Sequence, residues 1–539
     1  MTMPNLTARH SAVVAAVLAF ASGCGGGYDY VASKAPSGGA SYYPSAPPPA
    51  QQAYPADAPK AEEAPQPIGS ESFKDYGVNP FVETSKDRLS TFSIDVDTAS
   101  YSFARRRLMR ENMLPAYQGV RAEEFLNSFD YGYETPTAQD TAPFKVSYAA
   151  APAPFTPGHH IVRVGVQAKR ITAQERSPVH LVYLVDTSGS MGPADRLPLA
   201  KKGLAMLTET LKPGDTVALC TYAGDTRTVL EPTGIENKQK ILAAIQQLGA
   251  GGGTAMASGI ENAYSLASRT LVKGHVNRIV VLSDGDANIG HTGHDALLKT
   301  IAQYKEKGIT LSTVGFGSGN YKDTTMEQLA DKGDGNYTYI DGEDEARKVF
   351  TEQVDGLLQV IARDVKIQVE LDPSVVKRYR LIGYENRDIA DKDFRNDKVD
   401  AGEVGAGHSV TALYDVELVD PAKIPAKAPM TLRLRYKPAR NAANGGSDTA
   451  SETEFPMPAR SISSAFDEAP DNYRFAVAVA SFAEVLRRSP HAAGFSLDRI
   501  ANMASGAAAQ RKDRTEFVAV VQKAQSLSNH GEKLAPIAK

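Results

Sequence analysis

The sequence predicts an α/β fold: a doubly wound, mostly parallel sheet flanked by N- and C-terminal α+β or β-rich regions and followed by a helical tail. Three observations carry this reading. Between residues 178 and 362, short and nearly continuous apolar runs alternate with stretches whose apolar residues share one helical face, as expected for strands covered by helices on both sides. On either side of that segment, runs of alternating polarity mark strands with one buried face. Beyond residue 472, three stretches return to helical spacing.

Taken in order, residues 91–97 alternate with period two and read as a strand, 100–111 and 121–129 as short helices, and 144–149 and 160–168 as strands. The doubly wound unit opens with a strand at 179–185. A helix follows at 197–211, where Ala200, Leu204, Leu207 and Leu211 line one face. Strands at 216–222, 226–230, 278–283, 310–316 and 336–340 alternate with helices at 238–248, 255–271, 296–307 and 326–330. One closing helix is expected over 345–362, with Phe350, Val354, Leu357, Leu358 and Ile361 apolar. Strands are expected at 365–371, 379–384, 409–418 and 431–436, a polar loop over 439–453, and tail helices at 472–488, 496–504 and 515–527. The division that results is 1–24, 25–70, 75–170, 178–362, 363–460 and 461–539. Strands lie on both sides of the doubly wound unit and each side alone is short of a full sandwich, so the two flanks are expected to pack together.

Composition narrows the function. A chain of 539 residues accommodates about three domains at roughly 150 residues each. The net charge of −4 lacks the basic excess that nucleic acid requires, so no nucleic-acid partner is expected. Of the two cysteines, Cys220 lies in an apolar run, 216–220, and reads as a buried free thiol.

The other cysteine, Cys24, belongs to an address. Arg9 and His10 end a weakly positive segment, residues 11–20 are apolar, and Ala21-Ser22-Gly23-Cys24 follows, the layout of a signal peptide. The apolar stretch is shorter than the roughly 20 residues a spanning helix needs. The small residues before Cys24 resemble a bacterial lipobox, although Ala21 stands where Leu is usual. That resemblance implies lipidation of Cys24, and the absence of Asp at position 25 implies the outer membrane, facing periplasm or cell surface. Residues 25–70, rich in Gly, Ala, Pro, Ser and Tyr, cannot bury enough apolar surface to offset their ordering entropy and read as a flexible tether. Nothing downstream is long and apolar enough for a transmembrane helix, so membrane attachment is expected through the lipid alone.

The sharpest signal is Asp186-Thr187-Ser188-Gly189-Ser190, directly after an apolar strand and before a helix. Alone the pattern is weak. It has two companions in the right contexts: Gly251-Gly252-Gly253-Thr254 opens a helix, and Asp284-Gly285 ends the strand at 278–283. In an open α/β sheet, ligands bind beyond the carboxyl ends of the strands where strand order reverses, and loops after the first and fourth strands can meet there. Three hydroxyls and two carboxylates suit a hard cation such as Mg²⁺, or Mn²⁺ or Ca²⁺. With no Cys or His in the set, zinc is a poor candidate.

These five positions, Asp186, Ser188, Ser190, Thr254 and Asp284, resemble the metal-ion-dependent adhesion site of von Willebrand factor type A (VWA) domains, whose sheet is Rossmann-like. The resemblance implies that the two serines bind the ion directly, Thr254 directly or through water, and the aspartates often through water. An ion held by mostly neutral ligands stays electrophilic and can accept an Asp or Glu carboxylate from a protein partner. The flanks resemble YfbK-type bacterial proteins, through Asn79-Pro80-Phe81 with the strand near 91–97 and through Asp400-Ala401-Gly402-Glu403-Val404-Gly405-Ala406-Gly407-His408. Similar proteins often carry a chloride-channel label, which the absence of spanning segments argues against.

Weaker signals are read structurally. Asp284, Asp286, Asn288 and Asp295 loosely follow a calcium loop, but Ile289 stands where an EF-hand requires Gly. His291 and His294 lack the intervening Glu of a zinc protease and read as rim histidines. Asp95 and Asp97 could suggest a second cation site but lack the serines of the main motif, and Asp97-Thr98 reads as turn and helix-cap chemistry. The expected function is divalent-cation-dependent protein binding, as adhesion or scaffolding in the cell envelope, by a protein that is not an enzyme. A metal-dependent hydrolase and a channel-associated subunit are the alternatives.

Overall fold

The central strands are buried on both faces, and the fold follows from that. In the computed structural model, Val179–Asp186 is buried along its whole length. Its odd residues, Leu181, Tyr183 and Val185, pack into one core with Leu204 and Leu207 of the helix Leu197–Glu209 and with Phe350. Its even residues, Val182 and Leu184, pack into a second core with Ile260, Ala263 and Tyr264 of the helix Met256–Arg269. A strand apolar on both faces, as at residues 181–185, is satisfied between two helical layers. The structure describes residues 73–537 apart from 138, 173, 286–290, 318–322, 421–427, 440–447, 531–533 and 535. Cys24, the tether, Asp286 and Asn288 lie outside the described residues.

Across this six-stranded sheet the order is Tyr337–Ile340, Ile309–Phe316, Val276–Ser283, Val179–Asp186, Thr216–Tyr222, Thr226–Gly234. All neighbours are parallel except the last pair. The chain winds outward from Val179–Asp186 in one direction, then returns to add Val276–Ser283 on its other side. Those two strands, in register from Val179↔Val276 to Val185↔Leu282, therefore flank the reversal point.

The flanks do more than touch: their strands pair. Leu89–Ser93 lies antiparallel to Val360–Leu371, with Phe92 opposite Ile367. His159–Ala168 lies antiparallel to Ser409–Leu418, with Val164 opposite Ala412. Two antiparallel sheets result, one ordered Val82–Glu83, Val376–Ile382, Ser409–Leu418, His159–Ala168, Phe144–Pro152. Val360–Leu371 is central to the other, pairing also with Met430–Pro438, which pairs with Ser451–Pro456. Phe92, Val164, Ile367, Val369, Ala412, Tyr414 and Leu432 belong to one core shared by the sheets. The doubly wound domain is inserted into a single sandwich. Helices Ala99–Met109 and Ala122–Asn127 from one flank, and Asp471–Leu486, Leu497–Gly506 and Lys512–His530 from the other, share a further core. Within it Phe129 contacts Phe475 and Phe517 edge-on at 5.1 and 5.5 Å.

Four expectations need correction. The single closing helix over 345–362 is broken into Glu343–Arg347, a wide turn at Lys348–Glu352, and Val354–Leu358. Ile361 lies in the next strand, Val360–Leu371, because pairing with Val404–Gly405 and Met430–Pro438 claims that backbone. The strand expected at 91–97 ends at Ser93. Asp97 does not cap the following helix: it accepts a hydrogen bond from the Tyr337 amide at 3.0 Å, and Thr98 makes no side-chain cap. The described end of the polar loop at 439–453 is the start of the edge strand Ser451–Pro456. Its partner Met430–Pro438 supplies the order that the polar sequence conceals.

Cys220 is a buried free thiol, and burial pushes its pKa up to about 12. Among the described residues, no helix is long and apolar enough to cross a membrane.

Candidate metal centre

The loop after Val179–Asp186 is held by its own first residue. Asp186, fully buried, accepts a hydrogen bond from the Ser188 amide at 2.8 Å through one carboxylate oxygen. Its other oxygen accepts the Ser283 hydroxyl at 2.9 Å. That second bond ties the ends of the two strands that flank the reversal point. Burial raises the Asp186 pKa, opposed by the hydrogen bonds from Ser188 and Ser283. A divalent ion beside the carboxylate would reverse the effect of burial.

With the turn fixed in this way, the hydroxyls of Ser188 and Ser190 converge to 2.9 Å. Ser188 is buried, whereas Ser190 keeps partial access to solvent. The third loop is attached through backbone: the Gly251 amide donates to the Thr187 carbonyl at 2.8 Å, and the Gly189 amide to the Gly252 carbonyl at 3.1 Å. Gly252 sits at φ +90°, a conformation that favours glycine. Thr254 follows, half-buried, just before the helix Met256–Arg269. Asp284 closes the set from the end of Val276–Ser283 and is 2% exposed. The structure thus places all five predicted residues at the carboxyl end of the sheet, on three loops of which the first is hydrogen-bonded to each of the other two.

Two participants were missed in the sequence. Ser283 bridges Asp186 and the Gly285 amide, which donates to its hydroxyl at 3.0 Å. Arg196, just before the helix Leu197–Glu209, donates from Nη1 to Asp284 Oδ2 at 2.5 Å and to the Ser190 carbonyl at 2.7 Å. Ser283 is the last residue of a strand, where a polar end to an apolar run was a usable signal. Arg196 offered none, since a basic residue before a helix usually faces solvent.

The donor set fits a hard cation. The two serine hydroxyls are hydrogen-bonded to each other at 2.9 Å, a spacing that an octahedral ion with oxygen bonds of about 2.0–2.1 Å would also accept between adjacent ligands. Of the rim histidines, His294 Nε2 lies 2.8 Å from Gln328 Oε1, and the His291 side chain is outside the description. A separate group, Asp334, Asp400 and Glu403, brings carboxylate oxygens within 4.8 Å of one another. The Lys305 ammonium already stands among them, 2.9 Å from Asp334 and 2.7 Å from Asp400.

Three family models match the chain in succession: von Willebrand factor over 67–163, von Willebrand factor type A domain over 180–353, and the C-terminal domain of uncharacterized protein YfbK over 356–527. Uncharacterized protein YfbK of Escherichia coli (strain K12) is 35% identical over 481 residues, which are 86% of this chain and 82% of that protein. The chain belongs to the YfbK family. An uncharacterized Synechocystis protein, sll0103, is 27% identical over 42% of this chain and 54% of its own length. Among solved structures, a von Willebrand factor type A protein from Catenulispora acidiphila covers 69% of this chain and 88% of its own, at 18% identity and a TM-score of 0.42. In YfbK-family terms, the inserted doubly wound domain is the VWA domain and the sandwich is built from the regions on both sides of it. VWA domains are generally interaction modules, which gives protein binding or adhesion as the function class.

Proposed function

We propose that this protein is a lipid-anchored component of the bacterial cell envelope that binds a protein partner through a divalent cation, Mg²⁺ or its Mn²⁺ or Ca²⁺ substitutes. Ser188, Ser190 and Thr254 would hold the ion, and Asp186 and Asp284 would orient its waters. The bound ion supplies an electrophilic coordination position, and a partner's Asp or Glu carboxylate would fill it. The observation that supports this best is the convergence of the two serine hydroxyls, hydrogen-bonded to each other at 2.9 Å, on a turn held by a buried aspartate that bonds the loop through one oxygen and the neighbouring strand end through the other. The lipobox-like Ala21-Ser22-Gly23-Cys24 supports anchoring through lipid on Cys24, with residues 25–70 as the tether.

Calorimetric titration of Mg²⁺, Mn²⁺ and Ca²⁺ into the full chain tests the site. The expected result is binding at a single site that Ser188→Ala and Asp284→Ala each weaken at least tenfold while the circular dichroism spectrum is unchanged. A partner captured from envelope extract in Mg²⁺ should be released by chelator. Binding that survives both substitutions would move the ion elsewhere and sink the proposal.

A further inference from the structure

The metal loops already contain a cation. Arg196 reaches across the site from the foot of the helix Leu197–Glu209, with its side chain 12% exposed and that of Asp284 1% exposed. Its Nη1 is shared between Asp284 Oδ2 at 2.5 Å and the Ser190 carbonyl at 2.7 Å, so one guanidinium ties the first loop to the fourth strand. Backbone on a third side shapes its path. Gly317, just past the strand Ile309–Phe316, has φ +76°, and a Cβ there would stand 2.3 Å from Arg196 Nε. A side chain at position 317 would displace the arginine, so a glycine there keeps its path open.

The consequence is a charge balance. Among the described residues of the five-residue set, the charges are the two carboxylates of Asp186 and Asp284, and Arg196 offsets one of them. A divalent ion would then leave the loaded site with net charge +1, where the same five ligands without Arg196 would leave it neutral. A resident positive charge beside the ion opposes cation entry and favours an anion afterwards, and its pairing with Asp284 and exposure to solvent screen that effect.

We infer that Arg196 is a specificity-determining residue of the metal site: it weakens the intrinsic hold on the divalent ion and makes the loaded site select an anionic ligand. The inference rests on the metal-binding reading above. In the metal-free protein Arg196 pins Asp284, and in the loaded protein its charge is what an incoming carboxylate balances.

The test uses the full chain, Mn²⁺ as the ion and acetate as the anion, with acetamide as the neutral control. Arg196→Gln should bind Mn²⁺ about three- to tenfold more tightly than wild type. Acetate capture by the Mn²⁺-loaded variant, read from water-proton relaxation, should weaken by a similar factor. Arg196→Lys keeps the charge and should stay near wild type in both titrations. In chelator, Arg196→Gln should melt at a lower temperature than wild type because Asp284 has lost its counter-charge. Unchanged or weaker Mn²⁺ binding by a folded Arg196→Gln, or a lysine variant that behaves like the glutamine one, would overturn the inference and leave Arg196 a structural clasp. If neither wild type nor any variant binds Mn²⁺, the metal reading itself fails and this inference falls with it. If wild type binds and Arg196→Gln binds equally, only this inference fails.

Discussion

Replacing Glu123 by Gln should abolish a pH dependence of stability that the wild-type fold carries at its centre. Glu123 lies in the short helix Ala122–Asn127 and is 1% exposed. One oxygen accepts the Tyr384 amide at 3.0 Å, and the other is buried without a hydrogen-bond partner. Facing it are Glu385 from the loop after Val376–Ile382, Asp95 from the segment after Leu89–Ser93, and the Arg487 guanidinium from the end of Asp471–Leu486. Burial first, then repulsion from Glu385 and Asp95, pushes its pKa from 4.5 up to about 7, against the hydrogen bond from Tyr384. The folded state therefore keeps a proton that the unfolded chain releases near pH 4.5. The stabilisation from that proton is complete below pH 4.5 and is lost as pH rises through 7. At about 1.4 kcal/mol per pH unit, the window is worth about 3 kcal/mol. A body of this size unfolds with an entropy on the order of 1 kcal/mol/K, so the change in Tm is about 3 °C. Calorimetric scans of wild type and Glu123→Gln from pH 5 to 8.5 at one salt concentration measure it. The two should melt together near pH 5, with the variant about 3 °C higher at pH 8. A constant difference across the range would refute the reasoning, since a packing or hydrogen-bond effect of the amide would not depend on pH.

Other perturbations have different signatures. Glu484 is buried between Arg380, 3.0 Å away, and Arg487, and accepts the Ser489 hydroxyl at 2.8 Å. Although burial opposes it, the two guanidiniums hold its pKa at about 2. Glu484→Gln strands the Arg380 charge, while Arg487 keeps Glu385 at 3.0 Å, and should lose about 3–5 kcal/mol in urea unfolding at pH 7; a loss below about 1 kcal/mol would mean the pair is already well solvated. A fragment of residues 73–170 should fail to fold alone, because Leu89–Ser93 and His159–Ala168 lose their partners Val360–Leu371 and Ser409–Leu418. A dispersed amide spectrum for it would contradict the shared sandwich. Metabolic labelling with radioactive palmitate in a bacterial host should mark the full chain and not Cys24→Ser; label in both would remove Cys24 as the anchor.

Much of the central domain was legible because its determinants are local. Residues 181–185, apolar at every position, favour a strand covered on both faces, and the helix near 197–211 carries its stripe openly. The five oxygen-bearing residues were legible for a related reason: each sits at the end of a periodic element, where a loop residue stands out against its surroundings. What lay beyond the sequence depends on contacts between distant segments. The closing helix ends at Leu358 because pairing with Val404–Gly405 claims Val360 and Ala362, a demand no window around those residues contains. Ser451–Pro456, polar on its exposed face, is a strand only because Met430–Pro438 offers an edge.

The site divides in the same way. Sequence by itself determined which ligand types are present and on which loops, hence a hard cation and an acidic partner as expectations. Only the tertiary structure decided that Ser283 locks Asp186 and that Arg196 spans Asp284 and the Ser190 carbonyl. The physical reason is range: periodicity and turn chemistry act over a few residues, whereas a charge selects its partner through space, here 88 positions away along the chain.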